Sequence, residues 1–99
     1  MSEVRASLDA HATEEVSLDV LAQLAGLSAF HLNRVFRRKV GLPPHAYQVQ
    51  ARIRQARTWI AAGWGLAEVA LAAGFSDQSA FSNEFRWYVG VTPGRYARN

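Results

Sequence analysis

Two segments of this chain repeat one pattern of glycine, phenylalanine, proline and tyrosine, and this repeat constrains the fold more than any other feature. The segments are AQLAGLSAFHLNRVFRRKVGLPPHAY at residues 22–47 and ALAAGFSDQSAFSNEFRWYVGVTPGRY at residues 70–96. Equivalent positions lie 48 residues apart as far as Ser28 and Ser76, and 49 apart at Tyr47 and Tyr96, because the second segment holds one extra residue. A repeat of this length indicates that one supersecondary unit occurs twice.

Each segment contains a bend between two helical stretches. Gly26 and Gly74 suit the left-handed conformation that follows many helix ends. Ser28 and Ser76 suit the capping position of the next helix. A single copy is equally compatible with an ordinary helical hairpin. Two copies in one chain favour two helix-turn-helix units, each of which presents its second helix outward.

Apolar residues follow helical spacing throughout, and no segment alternates as a strand would, so the sequence predicts an all-α fold. The predicted helices cover residues 3–12, 18–25, 29–40, 47–62, 66–73 and 77–89, with a last turn opened by Thr92 and Pro93. Ser17 is the predicted cap of the second helix. The predicted organisation is an acidic N-terminal helix and lead-in at residues 1–16, a first lobe at 17–47, a connecting helix at 45–62 and a second lobe at 66–97.

The helix after each bend has one apolar and one polar side. The side expected to face the core carries Leu32, Val35 and Phe36 in the first lobe, and Phe81, Phe85 and Val89 in the second. The opposite side carries Phe30, Asn33, Arg34 and Arg37 in the first lobe, and Ser79, Ser82, Asn83 and Arg86 in the second, with Gln78 beside them. Polar residues of this kind are often simply solvated.

The chemistry of these two polar sides suits the edges of DNA bases. Arginine can bind guanine through two hydrogen bonds, asparagine and glutamine can pair with adenine, and an aromatic or small side chain can contact the methyl group of thymine. Because two helices share one spacing and each follows a bend, the pattern favours base recognition over a merely solvated surface.

The charge of the chain changes sign along the sequence. Residues 1–27 carry Arg5 and five carboxylates, whereas residues 28–99 carry ten arginines or lysines and three carboxylates. A basic region that begins at the first exposed helix favours a polyanionic partner. The alternative is a helical protein-interaction module that docks an acidic partner, such as a polymerase subunit or an effector domain.

Several functional classes lack the residues that they need. The chain has no cysteine, which excludes disulfides, thiolate nucleophiles and zinc sites with sulfur ligands. His11, His31 and His45 are scattered, so no enzyme, metal site or cofactor is expected. No apolar run approaches the roughly 20 residues that span a bilayer. The first ten residues lack the features of a signal peptide, and we expect a cytoplasmic protein without membrane contact.

The segments GFSDQSAFSNEF, GVTPGRY and LSAFHLNRVFRRKVGLPPHAY resemble the DNA-binding domain of the AraC/XylS family of bacterial transcription regulators, over about residues 14–97. The resemblance implies about seven helices in two helix-turn-helix lobes joined by one long central helix. It also implies two recognition helices that read successive major grooves of double-stranded DNA. By position, the implied base contacts are Phe30, Asn33, Arg34, Gln78, Ser79 and Asn83. The expected phosphate contacts are Arg37, Arg38, Lys39, Ser82 and Arg86.

Two positions depart from the family pattern. Asn83 stands where the family usually has arginine, and Trp87 stands where a basic residue is common. We therefore expect the second lobe to make fewer phosphate contacts or to read a different base. Family members typically carry a separate effector or dimerisation domain, so we expect either a stand-alone regulator or the DNA-binding part of a longer protein. RNA polymerase and a missing N-terminal domain are further candidate partners.

Overall fold

The computed structural model describes residues 1–98, and that range contains seven helices and no strand. The helices are α1 (Ser2–Ala10), α2 (Leu18–Ala25), α3 (Ala29–Val40), α4 (Pro44–Ala61), α5 (Leu66–Ala72), α6 (Gln78–Val89) and α7 (Pro93–Arg98). The predicted all-α fold is confirmed. The chain forms two compact units, of which the first is Met1–Ala51 and the second begins at Arg52.

The start of α4 and the cap of α2 differ from the sequence predictions. α4 begins at Pro44, one residue before the predicted connecting helix at residues 45–62, because proline has a fixed φ that suits the first helical position. Ser17 precedes α2 as predicted, but its hydroxyl makes no capping hydrogen bond, so the predicted side-chain cap is wrong. Ser17 instead contributes its backbone carbonyl, which accepts the Leu21 N–H at 3.1 Å.

The core of the first unit forms around one phenylalanine, where α2 packs against α1 and α3. Phe36 is fully buried, and Tyr47 packs edge to face against it with ring centroids 5.5 Å apart. The Tyr47 hydroxyl donates a 2.8 Å hydrogen bond to the Asp9 carboxylate, which pairs the polar atom of this largely buried ring. Leu32 is fully buried as predicted, whereas Val35 is only half-buried.

The core of the second unit repeats this ring contact. Phe81 and Phe85 are fully buried, and Tyr96 packs edge to face against Phe85 with ring centroids 5.4 Å apart. The Tyr96 hydroxyl accepts a 3.4 Å hydrogen bond from Nε of Arg57. The phenylalanine and tyrosine of the sequence repeat therefore correspond to one side-chain contact that occurs once in each unit.

The bend in each unit has the backbone conformation that the sequence predicts. Gly26 has φ of +69° and Gly74 has φ of +95°, both in the left-handed region. The residue after each glycine donates its N–H back across the last helical turn, to Ala22 at 2.9 Å in the first unit and to Ala70 at 3.0 Å in the second. This bonding satisfies carbonyls at the helix end and turns the chain toward the next helix.

The cap of the second helix occupies the same place in both units, but the capping residue differs in type. Ser28 accepts the His31 N–H at 3.2 Å, as predicted. The predicted cap at Ser76 is wrong, because Asp77 occupies that position and accepts the Ala80 N–H at 2.7 Å. The extra residue of the second unit displaces the cap by one position, so that Asp77 lies 49 residues after Ser28.

Gly26→Ala is expected to lower the free energy of unfolding by about 1–2 kcal/mol, the cost of a left-handed conformation for an L residue. A Cβ atom at residue 26 would meet nothing within 4 Å, so a steric collision adds nothing to this loss. Gly65→Ala is the matched control, because Gly65 has φ of −66° and equally open surroundings. Urea denaturation followed by circular dichroism measures both variants, and equal losses would show that the left-handed bend is not the cause.

Candidate nucleic-acid interface

One side of α3 lies in solvent because the other side packs into the core. Leu32 and Phe36 are fully buried, and together they determine which side of the helix faces outward. Phe30 is 69% exposed, so this ring points to solvent despite its apolar character. We call the outward side the first stripe, and its members, all exposed, are Phe30, Asn33, Arg34 and Arg37.

Two members of the first stripe contact each other. The Arg34 guanidinium lies over the ring of Phe30, with Cζ 5.8 Å from the ring centroid. A cation–π contact of this kind is worth about 0.5–1 kcal/mol at an exposed site. It restricts the long Arg34 side chain, whose planar guanidinium carries its hydrogen-bond donors at the edge. The entropic cost of ordering the Arg34 side chain when it binds a partner is therefore smaller than for an unrestricted arginine.

α6 presents a second outward side in the same manner. Phe81 and Phe85 are fully buried, which leaves the opposite side of the helix in solvent. We call this side the second stripe, and it consists of Gln78, Ser79, Ser82, Asn83 and Arg86. All of its members are exposed except Ser82, which is half-buried. The first four line a shallow, open depression with polar walls.

The two stripes occupy equivalent places in the repeat. Phe30 and Ser79 lie 49 residues apart, as do Arg34 and Asn83. The spacing of three and four residues along each helix places successive members on one face. The structure thus brings each set of sequence-predicted residues together on its own helix, and it exposes the positions that the sequence assigned to solvent except Ser82, which is half-buried.

Cations lie at the end of each outward helix. Arg37, Arg38 and Lys39 lie in the last turn of α3, and Arg86 lies in the last turn of α6. Positive side chains at a helix C-terminus are favoured by the negative end of the helix dipole. All four are exposed, and neither stripe contains a carboxylate. This arrangement suits a row of phosphate groups.

Tyr88 follows these residues near the end of α6. Burial raises the pKa of the Tyr88 hydroxyl above its usual value of 10.0, and the negative charge of Glu84 raises the pKa further. A phenol of ordinary pKa is already protonated near neutral pH, and both causes favour the protonated form further. No phenolate charge opposes an anionic partner at this end of the helix.

Two of the three histidines lie against polar side chains close to them in sequence. Nδ1 of His11 lies 2.7 Å from the Glu14 carboxylate, and Nδ1 of His31 lies 3.1 Å from the Ser28 hydroxyl. Within residues 1–98, no three side chains of histidine, aspartate or glutamate form a group that could hold a metal ion. None of the helices described in that range is long and apolar enough to cross a membrane.

Sequence reasoning missed one contact within the interface. The stacking of Arg34 on Phe30 was not predicted, although an aromatic residue four positions before an arginine places both on one helix face. The exposure of Trp87 could have been predicted as well, because residue 87 lies one turn after Asn83 and opposite the buried phenylalanines.

Comparison with known proteins matches the chain to helix-turn-helix regulators. A family model described as a helix-turn-helix domain matches residues 21–99. The transcriptional activator AarP of Providencia stuartii is 33% identical over 97 residues, which are 97% of this chain and 72% of AarP. The probable transcriptional regulator LumQ of Photobacterium leiognathi is 33% identical over 90 residues, which are 90% of this chain but 36% of LumQ.

Solved structures of regulators have the same fold. An AraC-type transcriptional regulator from Chromobacterium violaceum superposes with a TM-score of 0.90 at 28% identity, covering 98% of this chain and 88% of that one. The DNA-binding domain of AdpA, a global transcriptional factor solved in complex with a target DNA, superposes with a TM-score of 0.89, also at 28% identity, with the same coverage of both chains.

Proposed function

The chain belongs to the AraC/XylS family of helix-turn-helix transcription regulators, and on that premise we propose that α3 and α6 are its two recognition helices. DNA-binding transcription regulation is its function. In the proposal, each helix enters a major groove of duplex DNA with its stripe toward the bases, as the second helix of a helix-turn-helix does.

The observation that carries this proposal is the equivalence of the two stripes. Each follows a left-handed glycine bend, lies opposite two buried core residues and ends in a basic turn. A polar helix surface that is merely solvated gives no reason for these three features to recur on a second helix. Two outward helices with base-pairing side chains and terminal cations supply the two kinds of contact that sequence-specific DNA binding needs.

The first stripe supplies base contacts of three kinds. Arg34 has the planar fork that binds O6 and N7 of guanine, and Asn33 can bind N6 and N7 of adenine. Phe30 offers an exposed ring to the methyl group of thymine. Because the Phe30 ring also lies under the Arg34 guanidinium, these two residues act together in the proposal and place a guanine contact next to an apolar one.

The second stripe supplies only neutral base contacts. Gln78 and Asn83 carry amides that can pair with adenine, and Ser79 can accept or donate one hydrogen bond. Hydrogen bonds from charged groups are roughly twice as strong as those between neutral groups. We therefore assign the larger part of sequence preference to the first stripe.

Phosphate contacts come from the remaining members of the two stripes and from two cations beside the first stripe. In the proposal they are made by Arg37, Arg38, Lys39, Ser82 and Arg86. Four of these residues are exposed cations, and Ser82 is a half-buried hydroxyl. Phosphate contacts fix the position of the protein on the duplex but carry no sequence information directly.

A salt titration on a fluorescently labelled duplex tests the proposed function. Four phosphate-bound cations correspond to a slope of about −3.6 in log affinity against log salt, so that affinity falls roughly 150-fold between 50 and 200 mM salt. The competing interpretation, a module for an acidic protein, is tested by an acidic protein as competitor. The acidic protein is added so that its carboxylates match the duplex phosphates in concentration. If it displaced the duplex under that condition, the proposal would be wrong.

Further partners and the absence of catalysis also belong to the proposal. The chain aligns with 36% of LumQ and 26% of the regulator YbfI of Bacillus subtilis, so these relatives contain additional sequence. A separate effector or dimerisation domain and RNA polymerase are the partners that a regulator of this kind would use. We assign no catalytic step to the chain, and the cytoplasm is its proposed location.

A further inference from the structure

Trp87 is 79% exposed, the highest exposure of any large apolar side chain among residues 1–98. It lies in α6, one helical turn after Asn83 on the same face. The buried Phe81 and Phe85 lie on the opposite side of the helix, so the indole ring is directed to solvent. A ring of this size exposes an unusually large apolar surface to water.

The position of Trp87 along α6 indicates which part of a duplex it would meet. The first residues of a recognition helix reach the base edges, and later residues lie nearer the walls of the groove. Trp87 is nine residues after Gln78, which is about 13.5 Å along the helix at 1.5 Å per residue. Its equivalent in α3, 49 residues earlier, is the exposed cation Arg38, which we have assigned to phosphate.

We propose that Trp87 packs its indole ring on the deoxyribose wall of the groove that α6 enters and donates its Nε1–H to a phosphate oxygen. This inference rests on the proposed function. The indole covers apolar sugar carbons and has one neutral donor. It therefore holds the backbone without displacing a counterion, whereas Arg38 displaces one at the equivalent place in the first unit.

Removal of the Trp87 indole should lower the affinity for duplex DNA without changing the salt dependence of binding. Trp87→Ala should weaken binding to specific and random duplexes alike by about 10-fold, as expected if roughly 60 Å² of apolar surface no longer leaves water. Its salt slope should match that of the parent. Trp87→Arg should instead steepen the slope by about 0.9, and Arg38→Ala should make it shallower by the same amount.

Leu71→Ala is the matched control, because Leu71 is 68% exposed in the same unit but lies on α5. It should bind duplex DNA like the parent. Trp87 is exposed, so its removal leaves no cavity, and circular dichroism verifies that each variant is folded.

Fluorescence supplies a second measurement. Trp59 and Trp64 stack on each other with ring centroids 4.8 Å apart and are present in both the parent and Trp87→Phe. The difference between these two proteins therefore reports residue 87 alone. Duplex DNA should protect that component of the emission from acrylamide quenching.

Two results would overturn the inference while leaving the proposed function intact. The first is parent-like duplex affinity for Trp87→Ala together with unprotected Trp87 emission. The second is parent-like duplex affinity for Trp87→Ala when the parent sediments as a dimer and the variant as a monomer. That result would make Trp87 a contact between two copies of the chain. Failure of the parent itself to bind duplex DNA would instead contradict the proposed function.

Discussion

Arg34→Ala is expected to weaken binding to the preferred duplex about 5- to 150-fold, equivalent to roughly 1–3 kcal/mol, and to flatten the preference at one base pair. Arg34 lies in the middle of the first stripe, where its guanidinium is held over the Phe30 ring. In the proposal, its removal eliminates a two-donor contact to guanine and leaves the acceptors of that base without their partner. Fluorescence anisotropy titrations on the preferred duplex and on a single-base variant measure both effects.

Two further variants separate recognition of a base from attraction to phosphate. Arg38→Ala is the control from the same helix, and it should weaken binding to all sequences equally while the salt slope becomes shallower by about 0.9. Arg34→Lys retains the charge at residue 34 but lacks the planar fork, so it should lose the guanine preference and keep more of the affinity. If Arg34→Ala weakened random and preferred duplexes equally, Arg34 would not be a base-reading residue.

Replacement of all three base-reading candidates of one stripe is expected to have the largest effect on binding. Alanine at Phe30, Asn33 and Arg34 together should cost about 2–6 kcal/mol on the preferred duplex, since two bidentate base contacts of roughly 1–3 kcal/mol each are lost. Alanine at Gln78, Ser79 and Asn83 together should cost less, about 1–3 kcal/mol, because all three side chains are neutral. The six side chains are exposed, so neither replacement removes core packing.

The order of the two losses is the decisive result for the stripe variants. Titration at one fixed salt concentration compares them directly, and Leu71→Ala again serves as a control outside both stripes. A larger loss from the second stripe than from the first would reverse the assignment of specificity. Equal unfolding free energies of the two variants would exclude a difference in stability as the reason.

The fold could be predicted from the sequence because its signals are local. A glycine between apolar helical stretches predicts a bend, and Gly26 and Gly74 have the left-handed φ that such a bend uses. Helical spacing distinguishes the side of α3 that carries Leu32 and Phe36 from the side that carries Phe30. The outward direction of the Phe30 ring followed from that spacing even though its residue type favours a core.

The remaining details depend on side-chain geometry that spacing does not determine. One extra residue lies between Gly74 and Phe81, and the sequence alone did not show whether Ser76 or Asp77 would cap α6. The contact between Arg34 and Phe30 depends on the rotamers of both side chains, and the missing hydrogen bond at Ser17 depends on the direction of one hydroxyl. Which base each stripe residue reads depends on the docked duplex.

Selection of bound duplexes from a random pool, carried out with the parent and with the two stripe variants, tests most directly the claim that two different helices of one chain read DNA. We expect one asymmetric consensus with two short elements, bound by a single copy of the chain. Replacement of the first stripe should erase one element, and replacement of the second should erase the other. A palindromic consensus bound only by dimers, in which both variants lose the same bases, would show that one chain does not read DNA with two different helices.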